Sequence, residues 1–238
     1  MKGTLIAFEG LDGAGKGTQL ALLLEGLKSR GIRTEQLSFP RYGKSFYADM
    51  AAMYLRGDFG DPASISPYFS SLPYALDRIQ ARDTIIDWLK GGAVVLVDRY
   101  VPSNLAHQSA KLPPEGVPPF LEWLTRLEYE VNGLPRADLT VFLRIPPSLA
   151  YERVGQKKRR SYTRQKRDVH ERDLLYQVIV DQRFVELSQT LPGWVTVECV
   201  SRGGALLPPQ AVAADVLKAV TTQLPPADSH NLGQLLEG

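Results

Sequence analysis

Residues 5–27, LIAFEGLDGAGKGTQLALLLEGL, decide the fold of this chain. They begin with an apolar run, continue through closely spaced glycines, and end with leucines at helical spacing. This order predicts a β-strand, a glycine-rich turn and an α-helix. Such a turn binds anions because its backbone N–H groups point inward, the helix N-terminus is partially positive, and Lys16 can reach nucleotide phosphates. The alternative is an ordinary strand-to-helix turn that is merely rich in glycine.

The predicted phosphate-binding loop departs from the strict pattern at one position. Gly17 follows Lys16 where that pattern has a hydroxyl residue for magnesium, and Thr18 comes one residue later. The Gly-Lys-Gly-Thr order resembles the loop of nucleoside monophosphate kinases of the adenylate kinase type. The resemblance implies that ATP binds at Gly10, Leu11, Asp12, Gly13, Ala14, Gly15, Lys16, Gly17 and Thr18.

Length and composition limit the class of protein. A chain of 238 residues can form one large α/β domain, which we place at residues 1–224, with a frayed tail at 225–238. The formal net charge of +2 does not support a bulk electrostatic partner, so we predict neither nucleic acid nor membrane as a partner. Cys199 is the single cysteine, which predicts a reducing cytoplasm. No apolar stretch is long enough to cross a bilayer, and the chain starts with a strand rather than a charged leader.

Strand and helix patterns alternate along the chain. Strands are predicted at 5–8, 32–37, 93–97, 139–143 and 194–200, and the last has the alternation of an edge strand. Helices are predicted at 20–27, 68–90, 120–131, 149–154, 174–187 and 212–220. This order predicts a three-layer α/β fold in which helices flank a five-stranded parallel sheet. Ligands of such sheets bind at the carboxyl ends of the strands.

Two further candidate sites follow predicted strands. Asp98 can hold hydrated magnesium beside the loop, and Arg99 can bind phosphate oxygens with two parallel hydrogen bonds. The alternative is a surface ion pair that caps the strand. After the second strand, residues 39–42 (FPRY) offer an aromatic ring and another cation.

A nucleobase pocket is predicted on the long helix at 68–90. Tyr74 and Arg78 are four residues apart, so they share one helix face. A ring that stacks on a base and a guanidinium that donates to a base carbonyl would form such a pocket. The alternative places Tyr74 in the core and Arg78 in solvent.

A basic block at residues 157–167, KKRRSYTRQKR, carries seven cations and no acid. Such blocks are commonly solvated tails or nucleic-acid arms. Because this one lies between two predicted helices, we interpret it as an arginine-rich lid at about 155–168 that closes over polyphosphate.

Five short motifs together resemble bacterial thymidylate kinases, especially the actinobacterial kind. They are Phe8-Glu9-Gly10-x-Asp12-Gly13-Ala14-Gly15-Lys16, Phe39-Pro40-Arg41-Tyr42-Gly43, Ala75-Leu76-Asp77-Arg78, Asp98-Arg99-Tyr100-x-x-Ser103-Asn104 and Glu171-Arg172-Asp173. The resemblance runs from the N-terminus to about residue 173. It implies a P-loop kinase that phosphorylates dTMP to dTDP with ATP and Mg²⁺ in dTTP synthesis, and it implies a homodimer.

The resemblance also implies the site residues. Those implied to bind dTMP are Asp12, Phe39, Arg41, Tyr42, Tyr74, Arg78, Arg99, Ser103, Asn104, His107 and His170. Those implied in catalysis are Asp12, Lys16, Arg99 and the lid residues Arg159, Arg160, Arg164 and Arg167. The candidate magnesium ligands are Asp12, Asp98 and Glu171.

Within this set, the resemblance assigns parts of the substrate to particular side chains. Phe39 and Tyr74 would flank the thymine, Arg78 would bond its O4, and Asn104 would bond the other base edge. The acceptor phosphate would be held by Arg41, Tyr42 and Arg99, and Asp12 would meet the 3′-hydroxyl.

The chain departs from the resemblance at two histidines. His107 stands where relatives place a tyrosine against the 2′ face of the sugar, and His170 replaces another tyrosine. Selection of deoxyribose is therefore less determined than selection of the base. Two other functions remain open, namely a kinase for UMP, CMP or AMP and a nucleic-acid-dependent ATPase that uses the basic block as its contact surface.

Overall fold

Five parallel strands form one sheet in the order β2-β3-β1-β4-β5. Their bounds are β1 Thr4–Glu9, β2 Thr34–Ser38, β3 Val94–Asp98, β4 Leu139–Arg144 and β5 Trp194–Glu198. The computed structural model describes residues 3–61, 64–156 and 174–224. The predicted tail and the predicted lid from residue 157 onward lie outside the described residues.

Burial follows the position of each strand in the sheet. All six residues of the central strand β1 are buried, because helices cover both faces of the sheet. The outer strands β2 and β5 are only partly buried, and this confirms the edge strand predicted at 194–200. The parallel five-stranded α/β fold predicted from the sequence is therefore confirmed.

Helices connect the strands and pack on the sheet. Their bounds are α1 Lys16–Lys28, α2 Phe46–Arg56, α3 Pro67–Lys90, α4 Val101–Ser109, α5 Val117–Arg126, α6 Pro147–Gln156, α7 Leu174–Thr190 and α8 Pro209–Thr221. Helix α1 buries Leu20, Leu23 and Leu27, as their spacing predicts. None of the helices in the described part of the chain is long and apolar enough to cross a membrane.

Two helices, α2 and α4, were not predicted. Helix α4 buries eight residues of its nine, including Ser103, Asn104 and Gln108, so it has no apolar stripe that periodicity could detect. Helix α2 has a local signal, since the Ser45 side chain accepts a hydrogen bond from the N–H of Ala48 and caps its N-terminus.

The helix predicted at 120–131 changes its winding before its end. Helix α5 begins at Val117, before the predicted start at residue 120, and a π-helical turn at Leu127–Val131 follows it directly. The N–H of Asn132 donates to the carbonyl oxygen of Leu127, five residues back, which is the π-helical hydrogen bond. This turn carries Glu128, a fully buried acid.

The glycine at position 13 is required by both conformation and space. Gly13 has a φ of +93°, and a Cβ there would lie 2.7 Å from the carbonyl oxygen of Ala150 on α6. A Cβ at Gly17, in the first turn of α1, meets no atom of the described residues within 4 Å.

We therefore predict opposite outcomes for two alanine substitutions in the same loop. Gly13→Ala lowers the free energy of unfolding by about 1–3 kcal/mol because of backbone strain and the contact with α6. Gly17→Ala, the matched control, changes it by less than about 1 kcal/mol at a helical position. Urea unfolding of both variants measures the difference, and equal losses would contradict the prediction.

Candidate active site

The carboxyl ends of β1, β2 and β3 open on one cavity of about 270 Å³. Its lining includes residues from the phosphate-binding loop, from the stretch after β2, from the long helix α3 and from the stretch after β3. Among the predicted site residues, those that line it are Asp12, Gly13, Gly15, Lys16, Gly17, Phe39, Tyr42, Tyr74, Arg78, Asp98, Arg99, Ser103, Asn104 and His107. The loop and the predicted base pocket therefore share one cleft.

Other predicted residues do not line this cavity. Gly10, Leu11, Ala14 and Thr18 belong to the loop without lining the cavity, and Arg41 is also outside the lining. The predicted lid arginines Arg159, Arg160, Arg164 and Arg167 lie outside the described residues, as do His170 and Glu171. Their roles stay predictions.

The loop presents its ammonium and the start of a helix to the cavity. Helix α1 begins at Lys16, and Gly15 before it has no side chain to cap the first N–H groups, which remain available to an anion. The Lys16 ammonium donates to the carbonyl oxygens of Gly10 at 2.9 Å and Leu11 at 3.0 Å. Burial and the nearby Arg99 lower the pKa of Lys16 to about 8.

Arg99 connects the loop to the end of β3. Its guanidinium lies 2.8 Å from the Asp12 carboxylate and donates to the Ser103 hydroxyl at 3.0 Å. Its backbone has a φ of +64°, the left-handed region that residues with a Cβ rarely adopt. Burial opposes the charge of Arg99, but Asp12 and Asp98 hold its pKa above the ordinary value. The arrangement keeps a charged guanidinium at the cavity.

Glu9 is a site residue that sequence reasoning did not assign. Its fully buried carboxylate accepts hydrogen bonds from the N–H of Tyr100 at 2.7 Å and from the Ser103 hydroxyl. Burial raises its pKa despite these bonds. Glu9 thus holds the segment that carries Arg99 and Asn104 against β1. An acid at the end of an otherwise apolar strand was the signal that could have identified it.

Asp98 fits the prediction of a magnesium ligand. Its Oδ1 is buried and has no hydrogen-bond partner in the described part of the chain. Asp98 and Asp12 both line the cavity beside Lys16. Within that same part of the chain, no group of three or more metal-ligating side chains is present. The two carboxylates at the cavity suit Mg²⁺, which usually takes one or two carboxylates together with water and substrate phosphates.

Arg41 is held by Asp77 of helix α3. Its Nε donates to the Asp77 carboxylate at 2.8 Å, and its backbone N–H donates to the other oxygen of the same carboxylate at 2.8 Å. Asp77 lines the cavity, whereas Arg41 does not. The sequence placed Asp77 in a motif, but its role as the partner of Arg41 appears only in the structure.

The base end of the cavity is built on α3, α4 and the π-helical turn. Arg78 is buried and paired with Glu128, so the alternative that placed Arg78 in solvent is wrong. Asn104 donates to the same carboxylate at 3.0 Å. Phe39 is buried against Tyr100, and Tyr74 lines the cavity from α3.

His107 lies between the loop residues and helix α7. Its Nε2 is 3.4 Å from the Arg99 guanidinium, and its backbone carbonyl accepts a hydrogen bond from the Tyr176 hydroxyl at 2.7 Å. Burial and the cations Arg99 and Lys16 lower the pKa of His107 to about 3. The imidazole is therefore neutral near pH 7 and can hydrogen-bond a ligand without adding charge.

This combination defines a class of protein. A phosphate-binding loop faces a second pocket across one cavity, and that pocket is lined by cations, an amide and aromatic rings. The arrangement is that of a P-loop nucleoside monophosphate kinase.

Comparison with known proteins narrows the class. Residues 8–202 match the family model described as thymidylate kinase. The thymidylate kinase of Mycobacterium tuberculosis is 40% identical over 190 residues, which is 80% of this chain and 87% of that protein. The thymidylate kinase of Bifidobacterium longum is 34% identical over 157 residues, which is 65% of this chain and 72% of that protein. The chain belongs to the thymidylate kinase family.

A solved structure shows the same fold. The structure of thymidylate kinase from Candida albicans covers 96% of this chain and 94% of its own, with a TM-score of 0.69 and 22% sequence identity. The family prediction made from the five motifs is confirmed, and the alternative of a nucleic-acid-dependent ATPase is not favoured.

Proposed function

We propose that this cavity transfers the terminal phosphoryl group of ATP to the phosphate of dTMP, giving dTDP and ADP. One observation carries the proposal, namely that Lys16 and Arg99 line the same cavity as Arg78 and Asn104. A donor phosphate site and a base-reading pocket in one cleft bring two nucleotides together.

The donor site uses the loop backbone and Lys16. The uncapped N–H groups at the start of α1 bind the ATP phosphates, and the Lys16 ammonium exchanges its bonds to Gly10 and Leu11 for β- and γ-phosphate oxygens. Added negative charge at the buried ammonium favours its protonated form.

The acceptor site uses Arg99, and Tyr42 lines the same cavity. Arg99 binds the dTMP phosphate, and its pairing with Asp12 fixes the direction of the guanidinium. Arg41 contributes by holding Asp77, which lines the cavity. The acceptor oxygen then attacks the γ-phosphorus, the bond from that phosphorus to the β–γ bridging oxygen breaks, and ADP leaves.

The base and sugar occupy the other end of the cavity. Phe39 and Tyr74 flank the ring, while Arg78 and Asn104 read its edge. Ser103 and His107 face the sugar side, together with Asp12. These assignments combine the lining of the cavity with the resemblance of the motifs.

Asp98 and Asp12 would hold magnesium together with the substrate phosphates, and the ion would supply charge neutralisation on the phosphate oxygens. The protein itself contributes alignment and fixed positive charge, so no nucleophilic side chain is required. The lid arginines would complete the neutralisation and exclude water when the lid closes.

The choice of acceptor tests the proposed function. With the purified protein and ATP·Mg²⁺, ADP release is expected to have its highest kcat/KM with dTMP when dTMP, dCMP, UMP and AMP are compared. A higher value for another monophosphate would replace dTMP as the substrate. ADP release that needs no acceptor but increases with DNA or RNA would contradict the kinase altogether.

The two cations that face the phosphates are expected to dominate the rate. Lys16→Ala and Arg99→Ala each lower kcat at least ~100-fold, the scale for losing one preorganised electrostatic donor. Lys28→Ala, at the exposed end of the same helix α1, is the control and keeps the kcat of the unmodified protein. Near-normal turnover in a folded Lys16 or Arg99 variant would remove that residue from the mechanism.

A homodimer and a cytoplasmic location are also proposed. Helices α2 and α3 pack together and leave two large apolar side chains in solvent, Phe46 at 73% exposed and Phe69 at 71%. The buried free thiol of Cys199 is compatible with a reducing compartment.

Solution mass tests the dimer. Light scattering is expected to show twice the chain mass of 26.4 kDa, and Phe69→Asp is expected to reduce it to one chain because a charge cannot be buried unpaired at the interface. Leu175→Asp, at an exposed apolar position on α7, is the matched control and stays dimeric. A single-chain mass for the unmodified protein would contradict the dimer.

A further inference from the structure

Glu128 is a buried acid that does not line the cavity. It is fully buried on the π-helical turn, on the helix face where α5 buries Phe120 and Leu124. Periodicity predicts an apolar side chain at this position, four residues after Leu124. A carboxylate is costly there unless its charge and hydrogen bonds are matched.

Two side chains assigned to the base pocket, Arg78 and Asn104, stabilise the carboxylate of Glu128. Its carboxylate pairs with the Arg78 guanidinium through both oxygens, accepting from Nε at 3.2 Å and from one terminal nitrogen. It also accepts from Nδ2 of Asn104 at 3.0 Å. Burial opposes the charge of Arg78, yet Glu128 keeps the pKa of Arg78 above its ordinary value.

Glu128 and the carbonyl oxygen of Ser71 together determine which way the Asn104 amide points. Nδ2 donates both to Glu128 and to the carbonyl oxygen of Ser71 at 3.1 Å. Rotating the amide by half a turn would place its oxygen against these two oxygens, so that orientation is excluded. Oδ1 is left as a buried acceptor with no donor among the described residues, and Asn104 lines the cavity.

Arg78 is oriented by the same carboxylate. Glu128 and the carbonyl oxygen of Tyr100 accept hydrogen bonds from Nε and from both terminal nitrogens. Each terminal nitrogen carries a second N–H bond that these contacts do not use. The cavity therefore offers a base one acceptor from Asn104 and donors from Arg78.

This pattern matches one type of pyrimidine. Thymine and uracil carry a donor at N3 and an acceptor at O4, which complement Asn104 Oδ1 and the Arg78 N–H groups. Cytosine carries an acceptor at N3 and an amino donor at N4. Its N3 would therefore face the acceptor Oδ1 of Asn104, and its amino group would face the N–H donors of Arg78. Unmatched buried polar groups are costly, and the mismatch selects against cytosine.

We propose that Glu128 is a positioning residue that makes the enzyme discriminate between dTMP and dCMP, acting through Asn104 and Arg78 without touching the base. This inference rests on the proposed function. It assigns to the π-helical turn a role in specificity rather than in stability alone.

The test compares acceptor ratios in Glu128→Gln. The neutral amide weakens the hold on the Asn104 amide, whose rotation is then opposed by the carbonyl oxygen of Ser71 alone, and it removes the counter-charge of Arg78. The ratio of kcat/KM for dTMP to that for dCMP is expected to fall ~10-fold or more. The dTMP to dUMP ratio and the KM for ATP are expected to stay within about 2-fold, because uracil has the same N3 and O4 pattern and ATP binds elsewhere.

Leu124→Ala is the matched control, since Leu124 is buried on the same helix face and its apolar side chain takes no part in the hydrogen bonds among Glu128, Arg78 and Asn104. It is expected to lower the thermal midpoint and leave the dTMP to dCMP ratio unchanged. Should Glu128→Gln fail to fold, Glu128→Asp keeps the charge that Arg78 needs but withdraws it by one methylene. The dTMP to dCMP ratio of this variant is expected to fall as well, because the shorter side chain cannot reach both Arg78 and Asn104.

An unchanged ratio in the folded Glu128 variant, with the unmodified enzyme active on dTMP, would overturn this inference and leave the proposed function standing. Equal losses of kcat/KM with dTMP and dCMP give the same unchanged ratio, and they would indicate a merely structural residue. No dTMP-dependent ADP release from the unmodified protein would overturn both.

Discussion

The parallel pairing of β1 with β3 is the constraint on which the site depends. Its register places Phe8 opposite Asp98, while Ser38 of β2 lies opposite Asp98 on the other side. Three loops from distant parts of the chain therefore leave the sheet at the same edge. The backbone hydrogen bonds of the sheet are independent of side-chain identity, so this geometry persists while the loops carry the chemistry.

Charge is concentrated at that edge before any ligand binds. Burial and the nearby Arg99 lower the pKa of Lys16, and the carboxylates of Asp12, Asp98 and Glu9 partly offset this effect. Fixed cations that are largely buried stabilise phosphate charge more than the same groups would in water. The left-handed backbone at Arg99 is maintained because Asp12 and Ser103 hold its side chain.

Local patterns in the sequence predicted much of this arrangement. The apolar runs at β1, β3 and β4 identified a buried parallel sheet, and the loop around Lys16 followed from glycine spacing. Asp98, Arg99, Tyr74 and Arg78 were identified because they follow strands or share a helix face. Helix α4 could not be predicted in this way, since its buried polar residues remove the apolar stripe that a pattern detects.

By itself, the sequence determined the fold class, the phosphate-binding loop, the family and the chemical types available at the site, because these depend on local periodicity and on residues close together in the chain. Tertiary structure alone decided the partners. Glu128 lies 50 residues from Arg78 and 24 from Asn104, and Asp77 lies 36 from Arg41. Such contacts depend on how α3, α4 and α5 pack, which local spacing does not encode. The direction of each buried hydrogen bond, and with it the pattern offered to a base, therefore follows from packing.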